Sequence, residues 1–151
     1  EYEYVWTLSG TASGSIAAPA AGYSFDSWTD KFGDVVGEEP LFVPEKAFGI
    51  YYAPATYTAH FVPNTYTVTF DAGEARCPVT TMEVVYGETY GNLPHPFLEG
   101  YDFLGWYNAA EMKILSATRV TTPDDHVLFA RFEEHDDIAR CIIVNPIKCD
   151  K

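Results

Sequence analysis

Apolar and polar residues alternate one by one along much of this chain, and that period limits the fold more than any other feature of the sequence. Tyr2, Tyr4, Trp6 and Leu8 alternate with Glu3, Val5 and Thr7. Tyr57, Ala59 and Phe61 alternate with Thr58 and His60, and Tyr66, Val68 and Phe70 with Thr65, Thr67 and Thr69. Leu128, Ala130 and Phe132 alternate with Val127, Phe129 and Arg131. Successive side chains of a strand point to opposite faces, so each run can cover a core with one face. No window sustains the apolar spacing of three and four that marks an amphipathic helix. Val, Ile and Thr far outnumber Leu and Met, and such branched side chains suit a pleated, half-buried surface. Ten Pro and eleven Gly interrupt the chain every few residues. The fold class that follows is mostly β, α+β at most, with little helix. Further strands are expected at 48–52, 79–86, 101–107 and 140–147, and short helical turns only at 87–93 or 109–112.

The chain has 151 residues, enough for one medium domain or two small ones. Asp and Glu number 22 against nine Lys and Arg, a formal charge of −13. Nucleic-acid affinity comes largely from Lys and Arg displacing counterions from phosphates, so nucleic acid is excluded as a partner. Residues 4–25 and 47–70 contain no Asp, Glu, Lys or Arg and are long enough to span a bilayer. Both are dense in Ser, Thr, Gly and Pro and neither has a continuous apolar core, so no direct membrane insertion is expected. There is no initiator Met, no basic segment followed by an apolar run, and no C-terminal sorting signal. The chain reads as a segment of a longer protein.

Gly22-Tyr23-Ser24-Phe25-Asp26-Ser27-Trp28 matches Gly100-Tyr101-Asp102-Phe103-Leu104-Gly105-Trp106 in its Gly, first aromatic, Phe and Trp. Pro19 precedes the first block, and Pro94 and Pro96 the second. Downstream, residues 55–61 parallel 126–132, with extra residues in the first copy around 31–46. Each copy opens with an alternating aromatic strand, and Val62-Pro63-Asn64-Thr65 is too short a joint to swing freely. This organisation implies two tandem modules, 1–63 and 64–134. An acidic connector and terminal strand at 135–151 follows, the possible start of a further module.

The second copy carries Tyr66-Thr67-Val68-Thr69-Phe70-Asp71-Ala72-Gly73 and then Val84-Val85-Tyr86-Gly87-Glu88-Thr89-Tyr90-Gly91-Asn92-Leu93-Pro94. With Gly100 to Tyr107 and Leu128 to Phe132, these blocks make residues 66–132 resemble the Listeria–Bacteroides repeat, also called the internalin B repeat. Residues 1–63 resemble a divergent copy, which keeps the Gly-Tyr-x-Phe-x-x-Trp block and the closing strand but lacks the Tyr-Gly-Glu block. The resemblance implies small β-grasp-like modules, usually arrayed, on secreted or surface-anchored microbial proteins. It implies no enzymatic activity.

Phe25, Trp28, Phe103 and Trp106 recur at matched positions, which favours two small cores over sugar-stacking platforms, because one large ring buries much of the area a small core needs. The less regular Tyr51, Tyr52, Tyr90 and Tyr107 are the candidates for surface binding. Cys141 and Cys149 flank Val144-Asn145-Pro146, a turn sequence, and could pair across a hairpin in an oxidising setting. Cys77 would then be a spare thiol, or would itself pair with one of the two. No Cys-x-x-Cys is present. The acidic clusters at 124–126 and 133–137 lack the spacing and turn-forming Gly of a calcium loop, so no metal and no cofactor is expected. His60, His95, His126 and His135 are scattered, and no nucleophile elbow, zinc-protease or phosphate-loop motif occurs.

The function expected is therefore a non-enzymatic, extracellular stalk or adhesive segment, with a host or microbial surface protein or glycan as partner. One alternative is a carbohydrate-binding module using exposed Tyr and Trp. Another is a subunit that self-associates by exchanging the terminal strand at 139–147 with a neighbour.

Overall fold

A computed structural model describes residues 4–5 and 9–135. Ten strands are present among them: β1 Ser15–Ile16, β2 Tyr23–Thr29, β3 Val35–Gly37, β4 Leu41–Phe42, β5 Thr58–Pro63, β6 Thr65–Asp71, β7 Thr81–Val85, β8 Tyr101–Tyr107, β9 Lys113–Ile114 and β10 His126–Glu134. No helix occurs among the described residues, so the chain is mostly β. The segment 87–93 is turn and irregular backbone, and 109–112 is the loop of a hairpin. The strands form a two-stranded ribbon (β1–β4), a three-stranded sheet (β3–β2–β5) and a five-stranded sheet (β7–β6–β10–β8–β9). The expected strands at 140–147 and 2–8 lie outside, or largely outside, the described residues.

The described residues gather into two compact units. One holds the residues up to Thr67 together with Glu83–Thr89 and Arg119–Asp125, and the other holds Val68–Met82, Tyr90–Thr118 and the residues from His126 onward.

In the first unit, β2 pairs antiparallel with β5, Phe25 opposite Phe61 and Trp28 opposite Ala59, with a register slip at Asp26. In the second unit, β8 pairs antiparallel with β10, Phe103 opposite Phe132 and Trp106 opposite Ala130, with the slip at Leu104. The repeated sequence block thus reproduces its bulge as well as its strands; an extra residue at that point twists the strand and re-aims the side chains after it. The hairpin loops that follow also correspond. Asp30 Oδ1 accepts the N–H groups of Phe32 and Asp34 at 2.8 and 3.1 Å. Asn108 Oδ1 accepts those of Ala110 and Met112 at 3.0 and 2.9 Å. A short side chain bonding the backbone just ahead of it is the usual organiser of such a turn. Because residues 31–34 have counterparts in 109–112, the additional residues of the first repeat fall after β3, which leaves only the later part of the stretch 31–46 to hold them. The expected strand at 48–52 is instead a turn closed by a bridge between Ala47 and Tyr51.

The core of the first unit includes Ala12, Ala17 and Trp28. Trp28 stacks at a tilt on Phe42 of β4, 5.7 Å between centroids, and on Phe25 at 6.0 Å. The core of the second unit is built on Val68, Phe70, Tyr90, Trp106, Ile114 and Leu128. There β10 also pairs in parallel with β6, His126 opposite Val68 through Phe129 opposite Asp71. This places Phe70 against Trp106, 4.8 Å between centroids.

Candidate functional site

Asn64 alone separates β5 from β6, and it anchors a corner of the first unit. Its N–H donates to Gly22 O at 2.8 Å, and its carbonyl accepts the N–H of Tyr86 at 2.9 Å. Its side chain accepts from Ser24 Oγ at 2.6 Å and donates to the Tyr66 hydroxyl at 3.2 Å. Gly22 is buried with φ +83°, and a Cβ there would lie 2.5–2.6 Å from three Tyr86 ring atoms, so the ring rests flat over the glycine. The Tyr23 and Tyr86 rings meet edge to face, 5.5 Å apart at 79°, a favoured aromatic geometry. The corner is a structural joint formed by Gly22, Tyr23, Asn64 and Tyr86.

The sequence-derived binding candidates are dispersed. Tyr51 is 39% exposed at the end of the 47–51 turn. Tyr52 is half-buried, its hydroxyl accepting the Ala12 N–H at 3.1 Å and its ring 5.4 Å beneath Lys46 Nζ. Tyr90 is buried, 6% exposed, and shares a 2.7 Å hydrogen bond with His126 Nε2. Burial raises the Tyr90 phenol above its ordinary pKa. It therefore offers no ring face to a partner. Tyr107 is half-buried beneath the guanidinium of Arg131, which in turn pairs with Glu111. Of the four tyrosines, Tyr51 has the most accessible ring.

Sequence reasoning missed the residue beside it. Phe48 is 90% exposed, and its backbone φ is +53°. A bulky residue in the left-handed region is an outlier costing on the order of 1–2 kcal/mol. Gly49 follows at φ +72°, and the turn is closed by Gly49 N–H to Lys46 O at 3.0 Å and Ala47 N–H to Tyr51 O at 2.8 Å. Phe48, Ile50 and Tyr51 thus stand on a tied turn with 90, 61 and 39% exposure. The signal available beforehand was the Gly49 next to an aromatic in the extra segment of the first repeat; alternation read it as strand. A shallow depression of about 180 Å³, lined by Asp30, Lys31, Val36, Pro54 and Tyr57 among others, lies elsewhere in the first unit.

Nothing convergent for catalysis is present among the described residues. His60 bonds Thr29 at 2.8 Å, His126 bonds Tyr90 at 2.7 Å, His135 faces Asp102 at 3.2 Å, and His95 packs edge-on against Phe103. The four histidines have four separate partners and do not converge on one site. No group of three or more His, Cys, Asp or Glu is placed to hold a metal ion among the described residues. Cys77 is a free thiol whose Sγ lies 2.9 Å from Val79 O, while Cys141 and Cys149 lie outside the described residues. No helix among the described residues is long and apolar enough to cross a membrane.

Comparison with known families matches both halves of the chain. Residues 66–131 match the Listeria-Bacteroides repeat domain, and residues 6–65 match the divergent InlB B-repeat domain. No curated protein and no solved structure matches. The doubled Gly-Tyr-x-Phe-x-x-Trp strand, the doubled bulge and these two adjacent matches agree: the chain belongs to the Listeria–Bacteroides repeat family, with a divergent repeat followed by a typical one.

Proposed function

We propose that this chain is a non-enzymatic extracellular stalk segment whose divergent repeat carries an adhesive turn at residues 47–51. Members of this repeat family occur in bacterial surface proteins, and its repeats are generally structural regions without catalytic function. The observation that carries the adhesive part is Phe48: a large apolar ring, 90% exposed, held at a backbone angle that a glycine would occupy more cheaply. Backbone strain at an exposed aromatic is retained where the side chain has work outside the fold, and exposed apolar clusters mark contact sites. Ile50 and Tyr51 extend the apolar surface, and a net charge of −13 keeps the rest of the chain soluble. A protein or glycan on a host or microbial surface is the partner that such an exposed aromatic turn fits.

The test is a binding screen of the folded chain against a glycan array and intact host cells, beside Phe48→Gly and Tyr51→Ala variants. Phe48→Gly relieves the strained backbone, so its loss of binding cannot be put down to unfolding. Saturable binding abolished in Phe48→Gly is the expected result. Equal binding by Phe48→Gly and the parent removes the turn from the mechanism.

A further inference from the structure

The Gly22–Tyr23 corner has a twin in the second repeat. The first corner is a turn in which Tyr23 N–H donates to Ala20 O at 3.1 Å, with Gly22 at φ +83°. In the second, Tyr101 N–H donates to Leu98 O at 3.2 Å, with Gly100 at φ +81°. The third residue of such a turn needs positive φ, which accounts for glycine at both places. The chain leaving the closing strand ties back identically: Asn64 N–H to Gly22 O and His135 N–H to Gly100 O are both 2.8 Å. Even the side-chain link is matched. Ser24 Oγ meets Asn64 Oδ1 at 2.6 Å, and at the corresponding positions Asp102 Oδ1 meets His135 Nε2 at 3.2 Å.

The corners differ in what covers them. Gly22 is buried under the Tyr86 ring, whereas a Cβ on Gly100 would meet no atom of the described residues within 4 Å. Gly87, the residue after Tyr86, faces the Tyr23 hydroxyl in return, its own Cβ position 3.7 Å from that oxygen. Two Gly/Tyr pairs therefore clasp each other at the first corner, the Tyr86 ring lying over Gly22 and the Tyr23 hydroxyl reaching Gly87. At the second corner only one half of that clasp is in place among the described residues: Gly100 is exposed where Gly22 is buried, while Tyr101 and Tyr23 are about equally exposed, at 41 and 37%.

We propose that the Gly100–Tyr101 corner is a docking seat for the Tyr-Gly turn of a following repeat of this family, taken as Gly22–Tyr23 takes Tyr86–Gly87. The incoming ring lies over the Gly100 Cα, meets Tyr101 edge to face, and its backbone N–H donates to the His135 carbonyl, as that of Tyr86 does to Asn64. A second free copy of this chain is the wrong occupant, because its own Tyr86 already covers its own Gly22. The identity of the occupant rests on reading the chain as part of a repeat array; the geometry of the seat does not, and neither depends on whether residues 47–51 bind a cell.

The test duplicates residues 65–135 in place, so that the Thr65 of the inserted copy follows His135, which stays at the first Gly100 corner, and the rest of the chain is retained. The reporter is the pair of Gly α-protons, which are shielded when an aromatic ring lies over them. In the parent chain Gly22 gives the shielded reference and Gly100 the unshielded one. In the extended chain the first Gly100 is expected to move upfield to the Gly22 position, while the second Gly100 stays. Tyr86→Ala in the inserted copy alone returns it. A first Gly100 that does not move beside a folded copy overturns the proposal, as does a shift that survives Tyr86→Ala. A copy that fails to fold, read from missing Trp106 signals, also counts against it, because the same residues fold beside Gly22. A concentration-dependent shift of Gly100 in the unextended chain would assign the seat to a second copy and overturn the occupant named here.

Discussion

The two repeats set the same tryptophan in the same strand, at the same distance beyond the same bulge, and bury it unequally. Trp106 is 1% exposed and its indole N–H donates to Pro94 O at 2.7 Å; Trp28 is 8% exposed and its N–H reaches Pro40 O at 3.3 Å. The difference lies in what is laid over the ring. In the typical repeat Phe70 comes from β6, a long strand whose neighbour Val68 is fully buried. In the divergent repeat the cover among the described residues is Phe42, on the two-residue β4 within the stretch where the repeat has gained residues. A motif can therefore specify where a side chain points without specifying how well it is packed.

Removing each indole is the strongest way to break that comparison. Trp106→Ala is expected to destabilise by about 3–5 kcal/mol, and Trp28→Ala by about 1–2 kcal/mol less, since part of its surface and a weaker hydrogen bond are lost. Denaturant unfolding of both variants decides it; equal costs would mean that Phe42 packs as well as Phe70. The glycine pair sharpens it next. Gly22→Ala and Gly100→Ala each incur about 1 kcal/mol for positive φ, and Gly22→Ala adds about 1–3 kcal/mol of overpacking against Tyr86. Thermal unfolding should rank them in that order, and a reversed ranking would deny the close approach at Gly22. Tyr90→Phe is smaller, about 1 kcal/mol for a lost buried hydrogen bond. It also carries a pH signature. The folded-state pKa of Tyr90 is raised above its ordinary 10.0, so the stability it contributes is whole below that value and declines as pH rises through it towards the folded pKa. Tyr90→Phe should flatten this alkaline slope, and an unchanged slope would place the titration elsewhere. Smallest and opposite in sign, Phe48→Gly should stabilise by about 1 kcal/mol in the same melts; a loss would show that Phe48 packs rather than protrudes.

Much of the β framework was legible beforehand, for reasons of period. β8 runs over Tyr101–Tyr107, the expected limits, and β2 over Tyr23–Thr29 follows from the repeated block. The hairpin loops were harder because their equivalence is chemical rather than literal. Asp30 and Asn108 differ in name but present the same Oδ1 to two backbone N–H groups, and without that equivalence the stretch of extra residues takes in the hairpin loop at 31–34 as well. The run at 48–52 is rich in aromatic and branched residues, which suits a strand, yet two consecutive positive φ values at Phe48 and Gly49 fold it into a turn. Tyr90 illustrates another limit: its burial is set by partners such as His126, distant in sequence, whose approach no local pattern announces. The resting of Tyr86 on Gly22 was invisible for the same reason.

The parallel pairing of β6 with β10 has a mechanical corollary. The typical repeat is entered at Thr65 and left at Glu134, and the strands containing those residues run side by side in the same direction. A tensile load drawing the two points apart acts along that pair, so its hydrogen bonds are sheared together rather than unzipped one at a time. Rupture then requires them to fail at once, a geometry that lets a short module transmit tugging forces between whatever precedes and follows it without extending.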